Sequence, residues 1–114
     1  MALTTDSSAL TCIANDFDFE SVFSRQVEAL LGPRDVLVAL STSGESEGMV
    51  GALRMAKESG ASTVALLGKG GGTAAEVADH LLIVGSDSTA RIQETHLLIG
   101  HILCEIIERE LGFG

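Results

Sequence analysis

Apolar residues recur at helical spacing at Phe19, Val22, Phe23, Val27, Leu30 and Leu31, and the pattern stops at Gly32 and Pro33. That spacing predicts one amphipathic helix with an ordinary Gly-Pro ending. The run Val36 to Leu40 is short, continuous and β-branched at two places, which predicts a strand covered on both faces. A second helix is expected from Glu47 to Ser59, stopped by Gly60. The alternation then repeats: "STVALLG" reads as a strand, "TAAEVAD" as a short helix, "HLLIV" as a strand, and residues 89–111 as one long final helix. Strands alternating with helices imply an α/β fold, αβα layers around a parallel sheet with right-handed crossovers. The opening "ALTTDSS" reads as three residues of strand running into a polar loop. A sheet of three solid strands and a stub has open edges and an uncovered face. Either an oligomer covers them, or the chain is the later part of a longer protein.

Length and composition narrow the reading. A chain of 114 residues is one domain and hides roughly two-thirds of its unfolded surface. Four Phe with no Trp or Tyr make the core aliphatic and argue against base stacking. Seven Lys and Arg against sixteen Asp and Glu give a formal charge of −9, which repels a polyanion and argues against nucleic acid as a partner. A small phosphorylated metabolite stays within reach, because local backbone N–H groups can outweigh a distant net charge. Cys12 and Cys104 lie in apolar surroundings with no CxxC or Cys/His spacing, and are expected to be buried free thiols. The first residues, "MALTTDSS", have neither a basic nor an apolar targeting region, and the longest apolar stretch, "HLLIGHILCEII", is interrupted by His, Gly and Glu. The expectation is a soluble cytoplasmic protein without a membrane span.

The stretch "STSGESEG" follows the first full strand and opens a helix. In open parallel sheets ligands bind beyond the carboxyl ends of strands, where the next helix offers free N–H groups and a positive dipole end. Ser41, Thr42, Ser43 and Ser46 therefore suit an anion such as a phosphate. One helix cap needs only one hydroxyl. The glycine run "GKGGGT" lacks the order of a nucleotide phosphate loop. Thr73 and Glu76 instead read as a capping box for the short helix, with the glycines giving the chain freedom to turn into it. On the last helix Ile92, Ile99, Ile102, Leu103, Ile106 and Ile107 cover nearly half the circumference at about 100° per residue, wider than one sheet contact demands. A partner subunit accounts for that width. His96 falls within the apolar arc and reads as a satisfied core histidine. His101 lies on the other side with Glu94, Glu105 and Glu108, and with Gln93 and Cys104 at its margin. By wheel position His101 is either a solvated surface residue or one lining a cleft, where an imidazole suits proton transfer.

"ALTTDSSALTCIANDF", "DVLVALSTSGES" and "TARIQETHLLIGHILCEIIE" together resemble the phosphoheptose isomerase family of sugar isomerase (SIS) domains. The resemblance runs over all 114 residues and corresponds to the last three-fifths of a full member. It implies a flavodoxin-like αβα sandwich, here a partial SIS domain over residues 1–114, truncated at its N-terminus. It implies interconversion of sedoheptulose 7-phosphate with an aldose heptose 7-phosphate, in heptose and lipopolysaccharide precursor synthesis, by a zinc-bearing homo-oligomer, a tetramer. Carried over by residue, Ser41, Thr42, Ser43 and Ser46 would bind the substrate phosphate and Asp6 the sugar. Gln93 would touch substrate and, with His101, ligate zinc; His101 would also serve as the acid or base. The two are eight residues apart, about 12 Å along the helix, so a shared metal needs extended side chains or ligands from another subunit. The family's N-terminal part, with a further His and Glu for the metal site and general base, has no counterpart here. That weighs against activity of the isolated chain and leaves a non-catalytic phosphosugar-binding or protein-docking module, or an inactive fragment, as the other readings. Glu45 stands where the family often has Asn, with Glu47 close behind. Their charges either oppose a phosphate, at a cost of about 1 to 4 kcal/mol at about 4 Å, or face water and favour the helix N-terminus.

Overall fold

The computed structural model describes residues 1–114 and contains five helices and three strands. In order these are α1 (Ser7–Asp16), α2 (Ser21–Leu30), β1 (Val36–Ser41), α3 (Glu47–Glu58), β2 (Ser62–Leu67), α4 (Gly72–Val77), β3 (His80–Ile83) and α5 (Thr89–Glu110). The strands form one parallel sheet in the order β1-β2-β3. Val36 pairs with Ser62 and Ser41 with Leu67 at the two ends of the first ladder, and Val64 pairs with His80 in the second. The α/β architecture expected from the alternating pattern is therefore present, and every element after residue 20 lies within a residue or two of its expected bounds.

Alternation along the strands assigns the layers. Ala39, Ala65 and Leu67 point to one face, where they pack with Val50 and Leu53 of α3 and Ala74 of α4. α2 lies outside α3, burying Val27 against Ala52, Ala56 and Ala61. The opposite face of β2 carries Leu66, fully buried, and is covered by α5. Ile92 of α5 lies so close to Gly68 that a methyl group there would stand 2.4 Å from its Cδ1. His96 Nε2 is 2.9 Å from the Leu67 carbonyl oxygen, and the ring is buried. His96 is thus the core histidine the wheel indicated, and it pins α5 to the carboxyl end of β2.

Three expectations fail. No strand forms at Ala2–Thr4: the Thr5 hydroxyl donates to the Ala2 carbonyl at 2.9 Å, and the Leu3 carbonyl accepts from buried Gln26 Nε2 at 3.0 Å instead of from a neighbouring strand. The residues that follow are helix α1, capped by Asp6, whose Oδ1 accepts from the Ala9 N–H at 3.0 Å. Secondly, β1 is covered on one face only; Val36, Val38 and Leu40 are 58%, 46% and 49% exposed. An apolar run permits burial on both sides, but α5 reaches only as far as β2. Thirdly, both cysteines are exposed, because α1 and the outer side of α5 have no layer over them. Hydrogen bonding to Asp16, with that carboxylate's negative charge, pushes the Cys12 thiol above its ordinary value.

A polar knot closes the start of β2 against the turn into β3. Asp79 Oδ2 accepts from the Thr63 N–H at 2.9 Å and from the Thr63 hydroxyl at 3.0 Å, and that hydroxyl accepts from the Asp79 N–H at 2.8 Å. Lys57 Nζ lies 3.3 Å from Asp79 Oδ1 and donates to the Val77 carbonyl. The Thr63 backbone N–H, then its hydroxyl, then Lys57 hold the Asp79 carboxyl below its ordinary value. Thr63 is fully buried, so Thr63→Val strands its polar partners and is expected to cost about 1–3 kcal/mol, read from the urea midpoint. The sign in acid follows from the depressed value. Stabilisation by Asp79 is complete above the ordinary carboxylate range, near pH 4, and is lost as pH falls through the folded value. Thr63→Val removes the hydroxyl but keeps the Thr63 N–H, the larger cause, and Lys57, so it should make the acid limb of the stability curve shallower in part; an unchanged limb would mean that the hydroxyl has no share in holding Asp79.

Candidate functional site

Ser41 is the last residue of β1, and the chain then turns through Thr42 to Glu45 before α3 begins at Glu47. The turn is shaped by its own hydroxyls. Ser41 Oγ accepts from the Gly44 N–H at 3.0 Å, and Ser43 Oγ accepts from the Glu45 N–H at 3.2 Å. Gly44 has φ +70°, and a Cβ there would stand 1.9 Å from the Gly71 carbonyl oxygen, so only glycine fits. Ser46 occupies the N-cap position of α3 but makes no capping bond with its side chain. The first-turn N–H groups of a helix have no intrahelical partner. With Ser46 not capping, those of α3 are left to an outside acceptor, under the dipole's positive end. Ser41, Thr42 and Ser43 are half-buried and Ser46 is exposed, so four hydroxyl-bearing residues lie in the six positions that lead into that end. The structure thus brings these four together at the carboxyl edge of the sheet.

A second loop buttresses the first. Residues Lys69 to Gly72 all have positive φ, and they lead into α4 with Gly71, not Thr73, at the N-cap. The expected capping box is therefore absent: Thr73 sits inside the first turn and its hydroxyl donates to Glu45 Oε2 at 2.7 Å. The Thr73 N–H donates to Glu45 Oε1 at 2.9 Å. Glu45 turns to Thr73 of the second loop, an outcome that neither of its two sequence readings included. Glu47 lies in the first turn of α3, where a carboxylate favours the dipole.

The remaining candidates are spread over other elements. Asp6 is exposed and its carboxylate is engaged as the cap of α1. Gln93 and His101 are both exposed on α5, about 80° apart around the helix and about 12 Å apart along it. No three His, Cys, Asp or Glu side chains converge in this chain. A catalytic or structural zinc needs three or four protein donors. Gln93 and His101 alone do not fit one. Gln26, which no sequence pattern singled out, and Glu45 and Thr73, which the sequence assigned to other roles, are tied to partners far away along the chain.

Comparison with known proteins gives the family. A family model described as the SIS domain matches residues 1–68. The chain is 53% identical over its whole length to the phosphoheptose isomerase of Sulfurimonas denitrificans, covering 58% of that protein. It is 50% identical over its whole length to that of Akkermansia muciniphila, covering 60% of it. Among solved structures, the phosphoheptose isomerase of Neisseria gonorrhoeae superposes with a TM-score of 0.91 at 48% identity, over 94% of this chain and 61% of that one. The Francisella tularensis phosphoheptose isomerase superposes with a TM-score of 0.93 at 38% identity, over 96% of this chain and 59% of that one. The chain thus spans about three-fifths of the length of the relatives it matches. With most of its length matched by the family model and its sheet and helices superposing on solved relatives, the chain belongs to the SIS domain family.

Proposed function

We propose that the chain binds a phosphorylated sugar and serves phosphoheptose isomerisation, interconverting sedoheptulose 7-phosphate with its aldose partner for heptose and lipopolysaccharide precursors. The observation that carries this reading is the turn after β1, where Ser41, Thr42, Ser43 and Ser46 lead into an N-terminus of α3 that no side chain caps. A phosphate ester placed there would accept from the backbone N–H groups and from Ser41, Thr42, Ser43 and Ser46. Relatives about half identical in sequence carry the name of that activity. Asp6 would hold a sugar hydroxyl. His101 would serve as an acid or base as a proton moves between the two carbons through an enediol, the general base being supplied from outside these residues. Zinc belongs to the same proposal, with Gln93 and His101 as two of its ligands and the others supplied from outside these residues. The same proposal takes the protein as a cytoplasmic homo-oligomer, a tetramer; assembly of some kind is supported by the exposed apolar side chains of β1 and α5.

Removing one hydroxyl tests the loop. In an amide-resolved titration with sedoheptulose 7-phosphate, Ser43→Ala should weaken binding by about 1 kcal/mol, about fivefold. Loop signals that stay unmoved in the parent protein would reject the phosphate site.

A second reading, a SIS module that binds a phosphosugar without converting it, is favoured by one observation: this chain brings no three metal-ligating side chains together. Under that reading zinc leaves the affinity for the ester unchanged.

A further inference from the structure

The glycine run after β2 and the carboxylate at position 45 are left unexplained by the binding of an ester. We infer that Glu45 is a positioning residue: by clamping Thr73, it holds the hydroxyl turn rigid over the open end of α3 and sets how tightly that turn grips a phosphate ester. The inference rests on the reading of that turn as a phosphate site.

Within the turn, the bonds of Ser41 to Gly44 and of Ser43 to Glu45 are local and give it a shape, but tie it to nothing else. Three bonds reach across to the second loop. The Ala74 N–H donates to the Gly44 carbonyl at 2.9 Å, the Thr73 N–H donates to Glu45 Oε1 at 2.9 Å, and the Thr73 hydroxyl donates to Glu45 Oε2 at 2.7 Å. Two of the three belong to one carboxylate. The backbones also interlock. A Cβ on Gly72 would stand 2.6 Å from the Ser43 carbonyl oxygen and 2.7 Å from Glu45 Oε1. The left-handed run from Lys69 to Gly72 is what carries Thr73 up to the carboxylate.

The same bonds settle where the charge of Glu45 goes. Both oxygens already accept from donors at the start of α4, and the group is directed at Thr73. A carboxylate held in this way acts on the ligand through the shape of the turn. Rigidity raises affinity because less ordering remains to be done when the ester arrives.

The experiment titrates the parent, Glu45→Ala, Glu45→Gln, Thr73→Val and Thr73→Ser with inorganic phosphate and with sedoheptulose 7-phosphate, following the amide signals of residues 41–46. Glu45→Ala is expected to weaken both ligands about tenfold and Thr73→Val about threefold. Glu45→Gln, which offers an acceptor to the Thr73 N–H and a donor to its hydroxyl, should stay within about twofold of the parent, as should Thr73→Ser. Amide exchange at Ala74 should quicken in Glu45→Ala while β2 keeps its protection, separating a loosened turn from a weakened fold. Equal or tighter binding by Glu45→Ala, or a Glu45→Gln that binds like Glu45→Ala, overturns the clamp. Parent signals unmoved by either ligand overturn the phosphate site itself, a result distinct from a parent that binds and a Glu45→Ala variant that binds equally well.

Discussion

Gly44→Ala should sharply weaken the binding of phosphate esters and loosen the fold in one step. The new methyl group would stand 1.9 Å from the Gly71 carbonyl oxygen and 2.6 Å from its carbonyl carbon. These are backbone atoms, which cannot swing aside as a side-chain end can. The residue also holds φ +70°, which a side chain makes costly. Overpacking and the unfavourable dihedral each cost about 1–3 kcal/mol. The cheapest response is for the two loops to part. That would break the bond from the Ala74 N–H to the Gly44 carbonyl and carry Ser43 out of register with α3. Affinity should fall by about a hundredfold or more, as for a loss of about 2.7 kcal/mol. A urea titration read on β2 and an ester titration read on residues 41–46 check the two halves. Parent-like affinity in a folded Gly44→Ala protein would show that the contact between the loops is dispensable.

The other large effect belongs to His101. In an assay of ketose–aldose interconversion with added zinc, His101→Ala is expected to lower turnover by about 10²–10⁴-fold, the usual contribution of a positioned acid or base. The side chain is exposed on α5, so the core loses nothing when it is shortened. The turn proposed to receive the phosphate lies elsewhere in the chain, between β1 and α3. Ester binding followed at Ser43 should therefore match the parent, and the fall should appear in kcat more than in KM. Equal turnover in the two proteins removes His101 from the reaction. No turnover in the parent, with ester binding intact, assigns these 114 residues to the binding-module reading.

Much of this was legible in the letters because its causes are local. The periodicity of Val22, Phe23, Val27 and Leu30 and the stop at Gly32-Pro33 act within a few residues, and α2 ends at Leu30 as they require. The hydroxyl turn was legible for the same reason, since a strand, a turn and a helix start are contiguous. α1 was missed although it had a signal: Asp6 stands three residues before Ala9, and Ala9, Leu10, Ile13 and Ala14 repeat at helical spacing. A cluster of Thr and Ser outweighed it. Glu45 carried no such signal. Its partner is 28 residues away, and the sign of its effect depends on which way a single side chain turns.

By itself, then, the order of residues determined the alternation of strands and helices, the aliphatic core and the hydroxyl-rich turn between β1 and α3, because propensity, capping and hydrophobic periodicity are properties of short segments. Only the tertiary structure decided which apolar faces stay open on β1 and α5, that Gly44 must yield to Gly71, and that Glu45 turns to Thr73. Those outcomes are set by close packing between segments distant in the chain, where a shift of an ångström or two changes which atoms meet.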